Sequence, residues 1–81
     1  MEKVTKKVDL LLVNSVKEFV KESCETTCMV TANSGRCSVD GKSLLGMFSL
    51  NLSKPVEIVI ESDNDTAIDE YLESIKKFLV E

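Results

Sequence analysis

The sequence predicts a single α+β domain, an open-faced two-layer sandwich in which a four-stranded antiparallel sheet carries helices on one face. Three observations lead there. Short runs alternate apolar and polar residues with period two, other segments carry apolar stripes at three- and four-residue spacing behind capping residues, and the connections are only a few residues long. The expected order is β-α-β-β-α-β-α over residues 1–81.

Residues 3–12 read as the first strand, with Val4, Val8, Leu10 and Leu12 on one face and Thr5, Lys7 and Asp9 on the other. Asn14 and Ser15 then precede Val16, Phe19, Val20 and Cys24 at helical spacing. Ser15 and Glu18 have the spacing of a capping box, which places the helix start at Ser15 and its end near Ser23. β-Branched residues between Thr26 and Ala32 predict a second strand. Asn33-Ser34-Gly35 then turns the chain into a third, Arg36 to Val39, which Asp40-Gly41 ends.

Ser43 is a preferred N-cap residue ahead of Leu44, Leu45, Met47 and Phe48, predicting a short second helix. After the break at Ser53-Lys54-Pro55, the run Val56-Glu57-Ile58-Val59-Ile60-Glu61 has period-two apolar positions at Val56, Ile58 and Ile60, as in a strand. The segment Ser62–Thr66 supplies capping oxygens and negative charge to a last helix, whose stripe is Ile68, Tyr71, Leu72, Ile75, Phe78 and Leu79.

Composition limits the function. The formal charge is −4 and the basic residues are scattered, so no continuous cationic surface is available for nucleic acid. Leu10-Leu11-Leu12-Val13 is the longest apolar run, far short of the roughly 20 residues that span a bilayer, and the start of the chain lacks a signal-peptide hydrophobic segment. A cytoplasmic, monomeric protein without membrane insertion is expected. Cys24, Cys28 and Cys37 are an odd set without export signals, which argues for free thiols; with neither histidine nor a fourth thiolate they do not make a metal site.

Asp40-Gly41-Lys42-Ser43 looks like the end of a phosphate-binding loop, but Gly35 and Gly41 have five residues between them where that motif has four. Asp63, Asp65, Asp69, Glu70 and Glu73 cluster on one helix, whose polar face and N-terminal dipole account for them. A nucleophilic serine or cysteine has no imidazole to serve as its base. The residues therefore point away from an enzyme and require no cofactor. Ser43 stands out, because it lies beside Lys42 at a helix start and precedes an apolar cluster, Leu44 to Phe48, part of which is expected to face solvent as a docking patch.

The stretch Lys42-Ser43-Leu44-Leu45-Gly46-Met47-Phe48-Ser49-Leu50, followed by Leu52 and the strand Val56–Ile60, resembles the Lys-Ser-Ile-Met-Gly-x-Met-Ser-Leu region of HPr, the phosphocarrier of bacterial sugar phosphotransferase systems. Phe19-Val20-Lys21-Glu22 is similar to the first helix of that family, and the expected element order is the family's order. The resemblance implies that Leu12 and Asn14 occupy the places of the carrier histidine and of the arginine two residues later, a degenerate carrier site. It implies that Ser43 is the serine a dedicated HPr kinase phosphorylates in Gram-positive members. It further implies that Lys42, Leu44, Met47 and Phe48 belong to a partner-binding surface, for that kinase, a phosphotransferase-system protein or a transcription regulator. The expectation is a regulatory or protein-binding module switched at Ser43. The alternatives are a carrier using another residue, such as Ser15 or a cysteine, and a structural subunit of a larger assembly.

Overall fold

The computed structural model describes residues 2–80. The elements are β1 (Glu2–Val8), α1 (Val13–Glu25), β2 (Met29–Ser34), β3 (Cys37–Asp40), α2 (Leu44–Phe48), β4 (Val56–Ser62), α3 (Asp65–Ser74), a 3-10 turn (Lys76–Phe78) and β5 (Leu79–Val80). The sheet order is β3-β2-β4-β1-β5, and every neighbouring pair is antiparallel.

Register decides which residues are buried. Val4 pairs with Ile60 and Val8 with Val56, while Val30 and Ala32 pair with Ile60 and Ile58 across the other edge of β4. These side chains face the helices, because in a strand alternate residues share a face. The opposite rows, such as Lys7–Glu57–Asn33, face away from them and leave that side of the sheet open. Val16, Phe19 and Val20 of α1, Met47 of α2, and Ile68 and Tyr71 of α3 fill the space above the sheet. Burying a side chain of the size of Phe19 or Ile58 contributes about 1.5–3 kcal/mol each.

Phe19 makes an edge-on contact with Phe78, with ring centroids 6.4 Å apart, and a tilted one with Tyr71 at 6.5 Å. Gly35 turns the β2–β3 hairpin at φ 59°, a left-handed conformation that costs a residue with a Cβ about 1–2 kcal/mol.

Several boundaries differ from those read in the sequence. β1 stops at Val8 and not at residue 12: the Asp9 amide donates to the Phe78 carbonyl, and Asp9 Oδ1 accepts the Leu11 amide, which turns the chain out of the sheet. α1 starts at Val13, capped by the backbone of Leu12, whose carbonyl accepts the Val16 amide at 3.1 Å. Ser15 thus lies inside the first turn, where the expected capping box has no place. β2 begins at Met29, because Thr26 Oγ1 accepts the Cys28 amide and holds those residues in a loop.

α3 ends at Ser74 instead of continuing through Leu79. The Tyr71 carbonyl accepts both the Ile75 amide and the Ser74 hydroxyl, the 3-10 turn follows, and Leu79 and Val80 add a fifth strand beside β1 where four strands were expected. Phe78 still reaches the core, from the 3-10 turn and not from a helix face.

Candidate functional site

Two features carry the residues singled out in the sequence: the start of α1, and the turn that joins β3 to α2, which lies at the other end of α1. Ser43 caps α2 as its sequence context predicts. Its Oγ accepts the Gly46 amide at 3.1 Å and its carbonyl accepts the Met47 amide at 2.9 Å. The turn before it is fixed by Asp40, whose Oδ1 accepts the Lys42 amide and whose carbonyl accepts the Ser43 amide.

Gly41 lets this turn sit against β2. Its amide donates to the Val30 carbonyl, and a Cβ at this position would lie 2.5 Å from Val30 Cγ1. Glycine at position 41 is thereby a packing requirement of this chain.

Of the expected partner-binding residues, Leu44 and Phe48 are about two-fifths exposed. Met47 is fully buried and supports the patch from below instead of contacting a partner; on a one-and-a-half-turn helix it is the residue that points at the sheet. Leu45 replaces it at the surface, being 85% exposed. Lys42 is half-buried and its ammonium donates to the Thr26 carbonyl at 3.2 Å, beyond the end of α1. Sequence reasoning could not find that bond, since the two residues are joined only through the tertiary fold.

At the start of α1, Leu12 is 69% exposed and Asn14 is exposed as well. Leu11 and Val13 flank Leu12 and are also exposed, while Leu10 is buried. The four-residue apolar run is thus one core residue followed by three surface ones. Beside it lies a cleft of about 470 Å³ whose walls include Asp9, Leu12, Ser15, Phe78 and the ion-paired Glu18 and Lys77.

Charge is segregated across α1. Lys17, Lys21 and Cys24 share one stripe by helical spacing, and the Cys24 thiol donates to the Lys42 carbonyl at 3.4 Å, which sets that stripe on the α2 side. Glu18, Glu22 and Glu25 share another stripe. Glu18 pairs with Lys77, and Glu22 and Glu25 line a cleft of about 230 Å³ with Glu70 and Tyr71 of α3. The side of α1 facing Ser43, Leu44 and Leu45 therefore carries the lysines, and its other side is acidic.

Among the described residues no group of three or more cysteines and carboxylates is placed to hold a metal ion, and no helix is long and apolar enough to cross a membrane.

Comparison with known proteins identifies the architecture. The family model described as the phosphotransferase-system HPr component phosphorylation site matches residues 11–81. The chain belongs to the HPr family. Among solved structures it is similar to HPr-C-His from Thermoanaerobacter tengcongensis, with a TM-score of 0.72 and 23% identity over 95% of this chain and 93% of that one. It is also similar to the phosphocarrier protein HPr of Bacillus anthracis, with a TM-score of 0.66 and 21% identity over 91% and 98% of the two chains. A histidine-containing phosphocarrier protein of a mycoplasma aligns with a TM-score of 0.66 and 19% identity over 94% and 89%. No curated protein matches the sequence.

This HPr-family chain has no histidine at any of its 81 positions. Phosphohistidine cannot form on it, whatever the register at the start of α1. Leu12 has no nucleophilic atom, and Asn14 has no charge with which to hold a phosphate.

Proposed function

We propose that this HPr-family protein is a regulatory, protein-binding module of the phosphotransferase system, which has given up phosphoryl carriage and is switched by phosphorylation of Ser43. The observation that carries the reading is the surface around Ser43: exposed Leu44, Leu45 and Phe48 on α2, next to the α1 stripe that bears Lys17 and Lys21, in a chain without histidine. Such a surface suits a protein partner with an apolar contact ringed by carboxylates, where the lysines steer the encounter and the leucines supply the buried area. The protein acts from the cytoplasm as a monomer.

In the switch, Ser43 Oγ attacks the terminal phosphorus of a nucleoside triphosphate. The Oγ–P bond forms as the bond to the diphosphate leaving group breaks, and the hydroxyl proton passes to a base of the kinase. The phosphate adds about −1.5 to −2 charges beside the apolar patch. A partner with acidic residues is then repelled and one with arginines is favoured, so the modification exchanges partners.

The test is incubation with an HPr kinase and labelled ATP. Label on the wild-type protein and none on Ser43→Ala is the expected result, and an unlabelled wild type refutes the switch. A parallel incubation with enzyme I and labelled phosphoenolpyruvate is expected to leave the protein unlabelled. Stable label on Ser15 or a cysteine would establish a carrier by other chemistry.

A further inference from the structure

Lys42 joins two parts of the chain that are distant in sequence. Its ammonium donates to the Thr26 carbonyl at 3.2 Å, just past the last turn of α1, and its own carbonyl accepts the Cys24 thiol. A cation is favoured at a helix C-terminus by the partial negative charge of the last carbonyls. Its amide is tied to Asp40 Oδ1 at 2.9 Å, so the backbone that carries the ammonium stays fixed beside Ser43. Beyond Lys42, the α1–β2 loop has one bond of its own, from the Cys28 amide to Thr26 Oγ1 at 3.3 Å.

We propose that Lys42 is a latch: its ammonium leaves the Thr26 carbonyl for a phosphate on Ser43, and phosphorylation thereby loosens the loop Thr26–Cys28. The inference rests on the reading of Ser43 as a phosphorylation site and adds what the phosphate does to the fold. The ammonium bonds a neutral carbonyl at Thr26, whereas a phosphate offers it a full opposite charge and three acceptor oxygens, so ion-pair attraction is added to the hydrogen bond. The flexible four-carbon stem of a lysine lets its ammonium turn to a group on the adjacent residue. The carboxylate of Asp40, which accepts the Lys42 amide, repels a phosphate on Ser43, and Lys42 is the cation on the residue next to it.

The release acts at a distance. Thr26 and Thr27 line the acidic cleft between α1 and α3, with Glu22, Glu25 and Glu70. Loss of the Lys42 bond therefore carries the signal from the lysine-bearing side of α1 to its acidic side, through the end of the helix.

The experiment uses full-length protein with phosphoserine at position 43, made by ligation at Cys37, so that no kinase is needed. Amide hydrogen exchange is followed by NMR. The Cys28 amide of the phosphorylated protein is expected to exchange on the order of tenfold faster than in the unmodified protein, with Ile58 and Ile60 unchanged. Unmodified Lys42→Met is expected to show the same acceleration, and phosphate on that variant to add nothing to it.

A phosphorus-NMR titration reads the latch independently of loop stability. The second ionisation of the phosphate is expected at lower pH with Lys42 than with Lys42→Met or Lys42→Gln. A Cys28 amide unmoved by phosphate, or a phosphate that ionises alike in wild type and both variants, overturns the proposal. Both readouts are independent of whether any kinase acts on Ser43.

Discussion

The hydroxyls of Ser23 and Tyr71 lie 2.5 Å apart in the core, joining α1 to α3. Ser23 spends its own proton on the Phe19 carbonyl at 2.9 Å, so Tyr71 is the donor of the pair. Ser23 is the one polar residue among the described positions that is wholly buried with the core, and this pairing is what allows it to be there. The same burial pushes the Tyr71 phenol well above its ordinary range.

Stability is therefore expected to fall in alkali. The neutral phenol is retained in the folded state while the unfolded chain ionises near pH 10, so above that pH the unfolded state binds fewer protons. The loss is about 1.4 kcal/mol per pH unit. Urea titrations at pH 7 to 11 are expected to show this slope in the wild type and to lack it in Tyr71→Phe. Lys76, held protonated by its bond to Glu73, gives up its contribution in the same direction, but it does so equally in both proteins. At pH 7 the variant is expected to lose about 1 kcal/mol, one neutral hydrogen bond.

Gly41→Ala is expected to destabilise by about 1–3 kcal/mol, as forced overpacking does. The added Cβ would lie 2.5 Å from Val30 Cγ1 and 3.3 Å from the Val30 carbonyl oxygen, which itself accepts the Gly41 amide. The conflict is with a core strand, so the turn that holds Ser43 must move. A lower urea midpoint with an unchanged slope checks the first point, and shifted amide signals at Lys42 and Ser43 check the second.

Much of this fold is legible in local patterns, and the limits of that reading are physical. Val56, Ile58 and Ile60 alternate because β4 is central and one face of it is buried, and Ser43 reads as a cap because its side chain bonds three residues ahead. The apolar residues Leu10 to Val13 mislead for the opposite reason. Read as the end of a strand, Leu10 and Leu12 share a buried face, but only Leu10 is in the core, and Leu11, Leu12 and Val13 lie on the surface, an exposure that local packing does not explain. Likewise, the stripe that ends at Phe78 and Leu79 reads as one helix. A 3-10 turn and a strand can place the same residues inward once Asp9 supplies an amide to the Phe78 carbonyl. The bonds of Lys42 to Thr26 and of Ser23 to Tyr71 join distant segments and leave no periodic trace.

Ser43→Ala removes the hydroxyl that accepts the Gly46 amide, which is expected to cost about 1 kcal/mol. For a domain of this size that is a fall in Tm of about 4–8 °C. The Lys42 bond to Thr26 is expected to persist, because it is made by the neighbouring side chain, and the Cys28 amide is expected to exchange as in the wild type. Calorimetry and hydrogen exchange together separate the capping role of Ser43 from its part in the switch.

Leu45 and Met47, two residues apart on α2, are expected to behave in opposite ways. Leu45 is 85% exposed and Met47 fully buried, so the first is free to meet a partner and the second holds the helix to the sheet. Met47→Ala empties a core position, and the expected loss is about 2–5 kcal/mol, the usual range for truncating a buried methionine. Leu45→Ala is expected to stay within about 0.5 kcal/mol of the wild type, as surface changes do. If the α2 surface is the binding face, Leu45→Ala weakens partner affinity at full stability, whereas any loss in Met47→Ala follows the unfolded fraction. Measuring affinity and the urea midpoint on the same samples decides this. An affinity unchanged in Leu45→Ala, Leu44→Ala and Phe48→Ala alike would place the partner elsewhere on the molecule.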